Sequence, residues 1–251
     1  MTHGWTNPSI EIHGRIFKKR AFVDGTSIKM KYKPAFGSQD YWCRKGYYGM
    51  SVQVTCDDNG LLNDINIGIP AGYHDSWVFQ RSSLFRKLLS NRFFPKVHHF
   101  VLDHQHNCQQ LVPILPYVVG DSAYPVSPFL MRQYAERQTN PLGPEERHFN
   151  WQLSSARAVV EKAIRRLKGH WRCLEGLRHY HRPIQSKTIL SCAVLHNILE
   201  ARREHYEASW INPRAWRPEG NVRIGNQRDH QLRRLGQLKQ KSLTEYLWNS
   251  R

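Results

Sequence analysis

The chain switches between stretches of period two and stretches of period three to four. From Ala21 to Lys31, β-branched and apolar residues predict a first strand. Residues 47–56 alternate, with Tyr48, Met50, Val52, Val54 and Cys56 on one face and Ser51, Gln53 and Thr55 on the other. Asp57-Asp58-Asn59-Gly60 follows, and Asn-Gly is a strong signal for a two-residue hairpin turn. Leu61 to Ile69 then places Ile65, Ile67 and Ile69 on one face, so the second and third strands form a hairpin. Pro70-Ala71-Gly72 stops that run. His74-Asp75-Ser76 opens a helix through about Ser90, carrying Val78, Phe79, Leu84, Phe85, Leu88 and Leu89.

Residues 91–116 show no clear period, and Tyr117-Val118-Val119 reads as a short buried strand ending at Gly120-Asp121. Residues 127–135 fit either strand or helix, and 136–149 read as a polar loop around Pro141-Leu142-Gly143-Pro144. A long helix from about Trp151 to Trp171 aligns Ala156, Val160, Ala163, Ile164, Leu167 and Trp171. Another, over 184–206, starts after Pro183 and buries Ile189, Leu190, Val194, Leu195, Ile198 and Leu199. Three strands, a helix, a strand and then helices predict an α/β fold, a mixed sheet flanked by helices. Residues 1–20 read as an extended lead-in, 21–207 as one folded domain, and 208–251 as a basic tail. The tail ends in a short docking helix, because Ser242-Leu243-Thr244-Glu245 has capping-box form. The tail orders on a polyanion or stays solvated; both readings fit its charge.

Charge narrows the partner. There are 37 Lys+Arg against 20 Asp+Glu, a net charge of +17, which favours a polyanion, nucleic acid first. No apolar run approaches the roughly 18 residues of a membrane span, and Met1-Thr2-His3-Gly4-Trp5 lacks the apolar core of a signal peptide. The 5 cysteines are scattered without a CxxC pair, which points to reduced thiols rather than a disulfide scaffold or a zinc ribbon. A nuclear address, or a cytoplasmic one outside eukaryotes, follows as an expectation. Lys18-Lys19-Arg20 fits a localisation signal or a solvated turn.

Against this positive background, three acids stand out. Asp24 sits in the first strand before Gly25, Asp121 just beyond a strand after Gly120, and Glu161 on the long helix. A strand Asp, a strand-end Asp and a helical Glu can converge on divalent cations of the kind used in two-metal phosphodiester cleavage. Each acid also has a plainer reading. Asp24 before a glycine suits a turn, and Asp121 suits a helix N-cap. Glu161 suits an ion pair with Arg157 or Arg165 one turn away. The same helix face carries Arg157, Arg165, Lys168 and Arg172, so phosphate contact and an ordinary ion-paired face both fit.

Seven collinear blocks carry a resemblance. They are Val23-Asp24-Gly25-Thr26-Ser27-Ile28; Arg44-Lys45-Gly46-Tyr47-Tyr48; Gly68-Ile69-Pro70-Ala71-Gly72; His74-Asp75-Ser76-Trp77-Val78; Gly120-Asp121-Ser122-Ala123-Tyr124-Pro125; Ala156 to Ala163 with Arg166-Leu167-Lys168; and Val194-Leu195-His196-Asn197. In these the chain resembles the DDE endonuclease domain of PIF/Harbinger-type transposases and their transposase-derived nuclease relatives. The resemblance covers residues 21–207 and implies an RNase H-like fold. It places Asp24, Asp121 and Glu161 at the family's two Asp and one Glu. It also implies Mg²⁺ or Mn²⁺ in a two-metal site, with DNA strand cleavage and joining. Arg157, Arg165, Arg166, Lys168 and Arg172 then become the DNA-binding side chains. Partners implied are DNA, a separate Myb-like DNA-binding protein and a homo-oligomer, with no membrane.

The match has departures. Family members usually carry a helical region before the first Asp, so a start this close to Asp24 suggests a fragment or a domesticated relative. Such a relative could bind DNA or act as a scaffold without cutting, and an RNase H-like ribonuclease shares the same acid logic. Asp75 is a candidate fourth acid or a helix N-cap. His98, His99, Asp103, His104, His106 and Cys108 include metal-capable types at no standard zinc spacing. His196 reads as a core histidine.

Overall fold

The computed structural model describes residues 21–94, 116–136, 141–210 and 227–249. Strand β1 (Ala21–Lys29) is buried on both faces. Phe22 and Ile28 join one apolar cluster, while Ala21 and Val23 join another on the opposite face, which is why its sequence reads as nearly continuous apolar. A short helix α1 (Ser38–Tyr41) and the two-residue strand β2 (Trp42–Cys43) lead to β3 (Tyr47–Cys56) and β4 (Leu62–Pro70). Helices α2 (Asp75–Arg81) and α3 (Ser83–Leu89) precede two short strands, β5 (Val118–Val119) and β6 (Leu130–Met131). Three long helices complete the chain: α4 (Pro144–His170), α5 (Arg182–Arg202) and α6 (Gln227–Asn249).

The strands form one mixed sheet. β3 lies antiparallel to β1 and pairs also with β4 and β2; β5 lies parallel to β1, and β6 parallel to β5. With helices on both faces this is the RNase H-like architecture expected. Met50, Val52, Val54 and Cys56 of β3 pack beneath α4 together with Phe149, Leu153, Val160, Ile164 and Leu167. On the other face Phe79, Leu84 and Leu88 of α2 and α3 cover Val23, Val118 and Leu130.

Several elements differ from their sequence expectation, each for a local reason. The hairpin turn is longer than two residues. The Asp57 carboxylate accepts from the N–H groups of Asn59 and Leu61, and Gly60 turns the chain at φ +83°. The helix expected over 74–90 breaks at Ser82, whose buried hydroxyl donates to the Phe79 carbonyl and accepts from Phe85 N–H, capping α3. Residues 127–135 supply β6. The long helix begins at Pro144 rather than Trp151, so half of the expected loop is helical. Pro144 opens the helix, Glu145 and Glu146 fill its first turn, and Glu146 accepts from Gly143 N–H at 3.0 Å.

The largest departure is at the C-terminal end. Gln227–Asn249 is one helix, not a tail with a short terminal helix. Leu243 and Leu247 enter the same apolar cluster as Phe149 and Leu153. Along β6, Lys239 donates to the Pro128 carbonyl at 2.7 Å and Gln240 to the Arg132 carbonyl at 2.6 Å. The basic composition concealed this because the helix buries only one narrow stripe, while Arg233, Arg234 and Lys241 stay exposed. The residues before 21 and between 211 and 226 lie outside the described residues, and with them Lys18-Lys19-Arg20.

Because Leu243 is 1% exposed, Leu243→Ala is expected to cost about 2–5 kcal/mol of folding stability. Urea unfolding followed by circular dichroism reads this directly. An exposed tail would leave the midpoint unchanged.

Candidate active site

The site begins with a mismatch in strand length. β5 pairs with β1 only at Ala21 and Phe22. On that same side β1 finds its next backbone partner at Leu177, which bonds Lys29 and Lys31. Among the described residues, the edge of β1 between these points has no strand beside it, leaving a notch bounded by the Gly120-Asp121 turn and α4. Lys168, 6% exposed, reaches into it and donates to the Ser27 carbonyl at 3.1 Å.

Asp24 lies in this notch and is 5% exposed. Its Oδ1 accepts from Gly25 N–H at 2.9 Å, and its Oδ2 faces the Arg157 guanidinium at 3.5 Å. The same Arg157 nitrogen stands 3.5 Å from Glu161 Oε1, and Arg165 approaches Glu161 Oε2 at 3.6 Å. The facing oxygens of Asp24 and Glu161 are therefore at most twice that distance apart, within the roughly 8 Å that joint cation binding requires. The ion pairs expected for Glu161 are both present, and one of them also joins it to β1.

Asp121 is 8% exposed and accepts from Ala123 N–H at 2.9 Å. No helix follows it, so its side chain closes a local turn rather than capping a helix. Burial raises the Asp24 carboxyl to about 7; Arg157 opposes this, Asp121 raises it further, Gly25 N–H opposes, and Glu161 raises it. The charges of all three acids thus meet at Asp24.

A fourth carboxylate is present. Asp75 is 8% exposed at the start of α2, where His74 rather than Asp75 holds the N-cap position. The Asp75 carboxylate lies against Gly25 so closely that a Cβ there would collide with it. This close approach explains the glycine after Asp24. Gln53 sits opposite Gly25 in the β1–β3 register, and its amide and the Tyr124 side chain are both buried.

The expected basic stripe is divided by the structure. Arg165 and Arg172 are exposed. Arg157 is 8% exposed and engaged by two carboxylates, and Lys168 fills the notch. Arg166 pairs with Glu200 at 2.8 Å. The helix turns Arg157 and Lys168 inward, while Arg166 is half-buried beside Glu200. His196 is fully buried, and burial lowers it to about 4, so it is neutral. Its Nε2 lies 3.3 Å from the Gly60 carbonyl, while Asn197 pairs its amide with both backbone groups of Leu62 at 2.8 and 2.9 Å. The Leu195-His196-Asn197 block thus holds the hairpin to α5. The histidine-rich group from His98 to Cys108 lies outside the described residues.

Sequence reasoning missed Tyr124, Gln53 and the bridging role of Arg157. Arg157 stands four residues before Glu161, and that spacing was a usable signal; nothing local marked Gln53. Among the described residues, no three His, Cys, Asp or Glu side chains form a ready cation cage. The donor chemistry nevertheless suits a hard divalent cation. Asp24, Asp121, Glu161 and Asp75 offer only carboxylate oxygens, and the Arg157 guanidinium already supplies positive charge between two of them.

Two stability measurements follow, both with a chelator present. Asp24 titrates near 7 when folded against an ordinary value of 3.8, so its contribution is full below about pH 4 and is lost as pH rises through 7. Asp24→Asn is expected to become progressively more stable relative to wild type from about pH 4 to pH 8. Arg157→Gln leaves two carboxylates without their shared cation and is expected to cost roughly 3 kcal/mol at neutral pH. With Mn²⁺ in place of the chelator, the melting temperature of this variant should rise more than that of wild type. Equal shifts would mean that Arg157 does not neutralise the site.

A sequence profile of the DDE superfamily endonuclease family matches residues 23–197. "Putative nuclease HARBI1" of Bos taurus is 29% identical over 194 residues, 76% of this chain and 48% of that protein. The Homo sapiens protein of the same name is 28% identical over the same coverage. "Protein ALP1-like" of Arabidopsis thaliana is 25% identical over 184 residues, 70% of this chain and 42% of that protein. The chain spans about half the length of the curated relatives it matches. No solved structure matches it. The matched region runs from β1 into α5 and contains Asp24, Asp75, Asp121 and Glu161, and on this match the chain belongs to the DDE superfamily endonuclease family.

Proposed function

We propose that this protein is a divalent-metal-dependent DNA nuclease of transposase descent, with Asp24, Asp121 and Glu161 as its catalytic carboxylates. The observation that carries the reading is the pairing of Asp24 on β1 with Glu161 on α4 through one guanidinium, with Asp121, just beyond β5, within electrostatic reach of Asp24. In a chain of net charge +17, this buried concentration of acid has a cost that a structural role does not explain.

Asp24, Asp121 and Glu161 would hold Mg²⁺ or Mn²⁺. When bound, such cations supply positive charge to the attacking and leaving oxygens of a phosphodiester. The chain's own groups set the stage. Gly25 N–H and Ala123 N–H fix the two Asp carboxylates, and Arg157 keeps Asp24 and Glu161 together. Arg165, which approaches Glu161, and Arg172 are exposed, where DNA phosphates would be contacted. Water as nucleophile gives cleavage; a DNA 3′-hydroxyl in its place gives joining. DNA as substrate suits a nuclear address in a eukaryote.

The test is nicking of supercoiled DNA with Mn²⁺ or Mg²⁺, wild type against Asp121→Asn. The variant is expected to lose more than the roughly 10–100-fold typical of an outer-shell change. A chelator should stop the wild-type reaction. Equal nicking by the two proteins would sink the proposed site.

A further inference from the structure

The notch ends at a second, different surface. Met30 bridges in parallel to Leu177, whose N–H donates to the Lys29 carbonyl at 2.8 Å and whose carbonyl accepts from Lys31 N–H at 2.9 Å. The two segments leave this bridge in the same direction. A few residues on, they bring Tyr32 and Tyr180 together as a stacked pair, ring centroids 4.2 Å apart and planes 13° apart. Tyr32 is half-buried, but Tyr180 is 75% exposed. With one face on Tyr32, its other face is open to solvent. A ring this exposed buries little apolar area, so packing alone is a weak reason for it.

The surroundings of the pair are basic. Lys29 to Phe36 contains Lys29, Lys31 and Lys33 and no acid, and Gly176 to Ile184 contains Arg178 and Arg182 and no acid. Lys29, Lys31, Lys33 and Arg178 are exposed, and Lys31 Nζ stands 5.9 Å from the Tyr32 ring centroid. The nearest acids along the two segments are Asp40 and Glu175. Cations alone would suit the phosphates of any nucleic acid. An open aromatic face among them suits a strand whose bases are unpaired, since a duplex stacks its bases on one another and hides their faces. The position agrees. Met30 lies six residues beyond Asp24 on one extended segment, about 20 Å at roughly 3.3 Å per residue, a reach that one DNA strand can span.

We propose that Tyr180, backed by Tyr32, is a stacking platform for an unpaired base of a DNA strand, and that Lys31, Lys33 and Arg178 hold the phosphates beside it. This rests on the DNA reading above and adds the form of DNA taken at this end of the notch. The acids then act on a strand that is anchored beyond them by its bases as well as by its charge.

The test is fluorescence anisotropy of the full chain with a chelator present. Three labelled DNAs of matched length are compared: a thymidine single strand, the same strand without bases, and a duplex closed at both ends. Tyr180→Ala is expected to bind the single strand about tenfold more weakly, as loss of one base–aromatic stack predicts, and to bind the other two like wild type. Tyr180→Phe keeps the ring and should bind all three like wild type. Lys31→Gln combined with Lys33→Gln should weaken all three, because they share phosphates. Should Tyr180→Ala melt well below wild type, Tyr180→Leu takes its place with the same expectations. The proposal is wrong if the Tyr180 variant binds the single strand like wild type, or loses as much on the abasic strand or the duplex. It is also wrong if the double lysine variant is unchanged on all three DNAs. Because no metal is present, these outcomes are independent of nicking: the platform can fall while Asp121→Asn still abolishes cleavage, and it can stand where cleavage is absent.

Discussion

The Arg157 guanidinium between Asp24 and Glu161 is the contact on which the site depends. Carboxylates drawn from separate elements repel one another, and burial makes each charge harder to keep. One planar cation with several donors can face two of them at once. It ties α4 to the centre of the sheet at the point where their charges would push them apart. The 3.5 Å separations are those of a loose pair rather than a tight bidentate one.

Next to that contact the edge of β1 is open, because β5 is only two residues long. A longer strand would have covered that edge with backbone bonds. The uncovered carbonyl of Ser27 needs a donor instead, and Lys168 provides it from two turns beyond Glu161. Two buried cations on α4 thus serve one notch. Arg157 answers its carboxylates and Lys168 its backbone, and neither remains available as a surface contact.

The fold was readable where a period was strong. β1, β3, β4 and the middle of α4 follow their apolar spacing, and Asp24, Asp121 and Glu161 stand out by setting. α5 does not follow its spacing: it turns Ile189, Cys192, Ala193 and His196 inward and leaves Leu190, Val194, Leu195 and Ile198, expected in the core, exposed. The failures have local causes. α4 begins with a proline and two acids, which resemble loop chemistry until Glu146 is seen to reach back to Gly143. α6 buries so narrow a stripe that its arginines dominate the pattern. Asp75 was visible as an acid at a helix start, but only the close approach of Gly25 from another strand shows where it points. The inward turn of Arg157 and Lys168 was hidden for the same reason: helix periodicity says which residues share a face, not what that face meets.

β4 and β6, on opposite sides of the sheet, each end against side chains from helices. Gln240 and Lys239 hold carbonyls beside β6, and Asn197 binds both backbone groups of Leu62 at the start of β4. A foreign strand seeking to extend the sheet at these points must first displace side chains already acting as partial strands. The chain thereby carries its own protection against edge-to-edge aggregation.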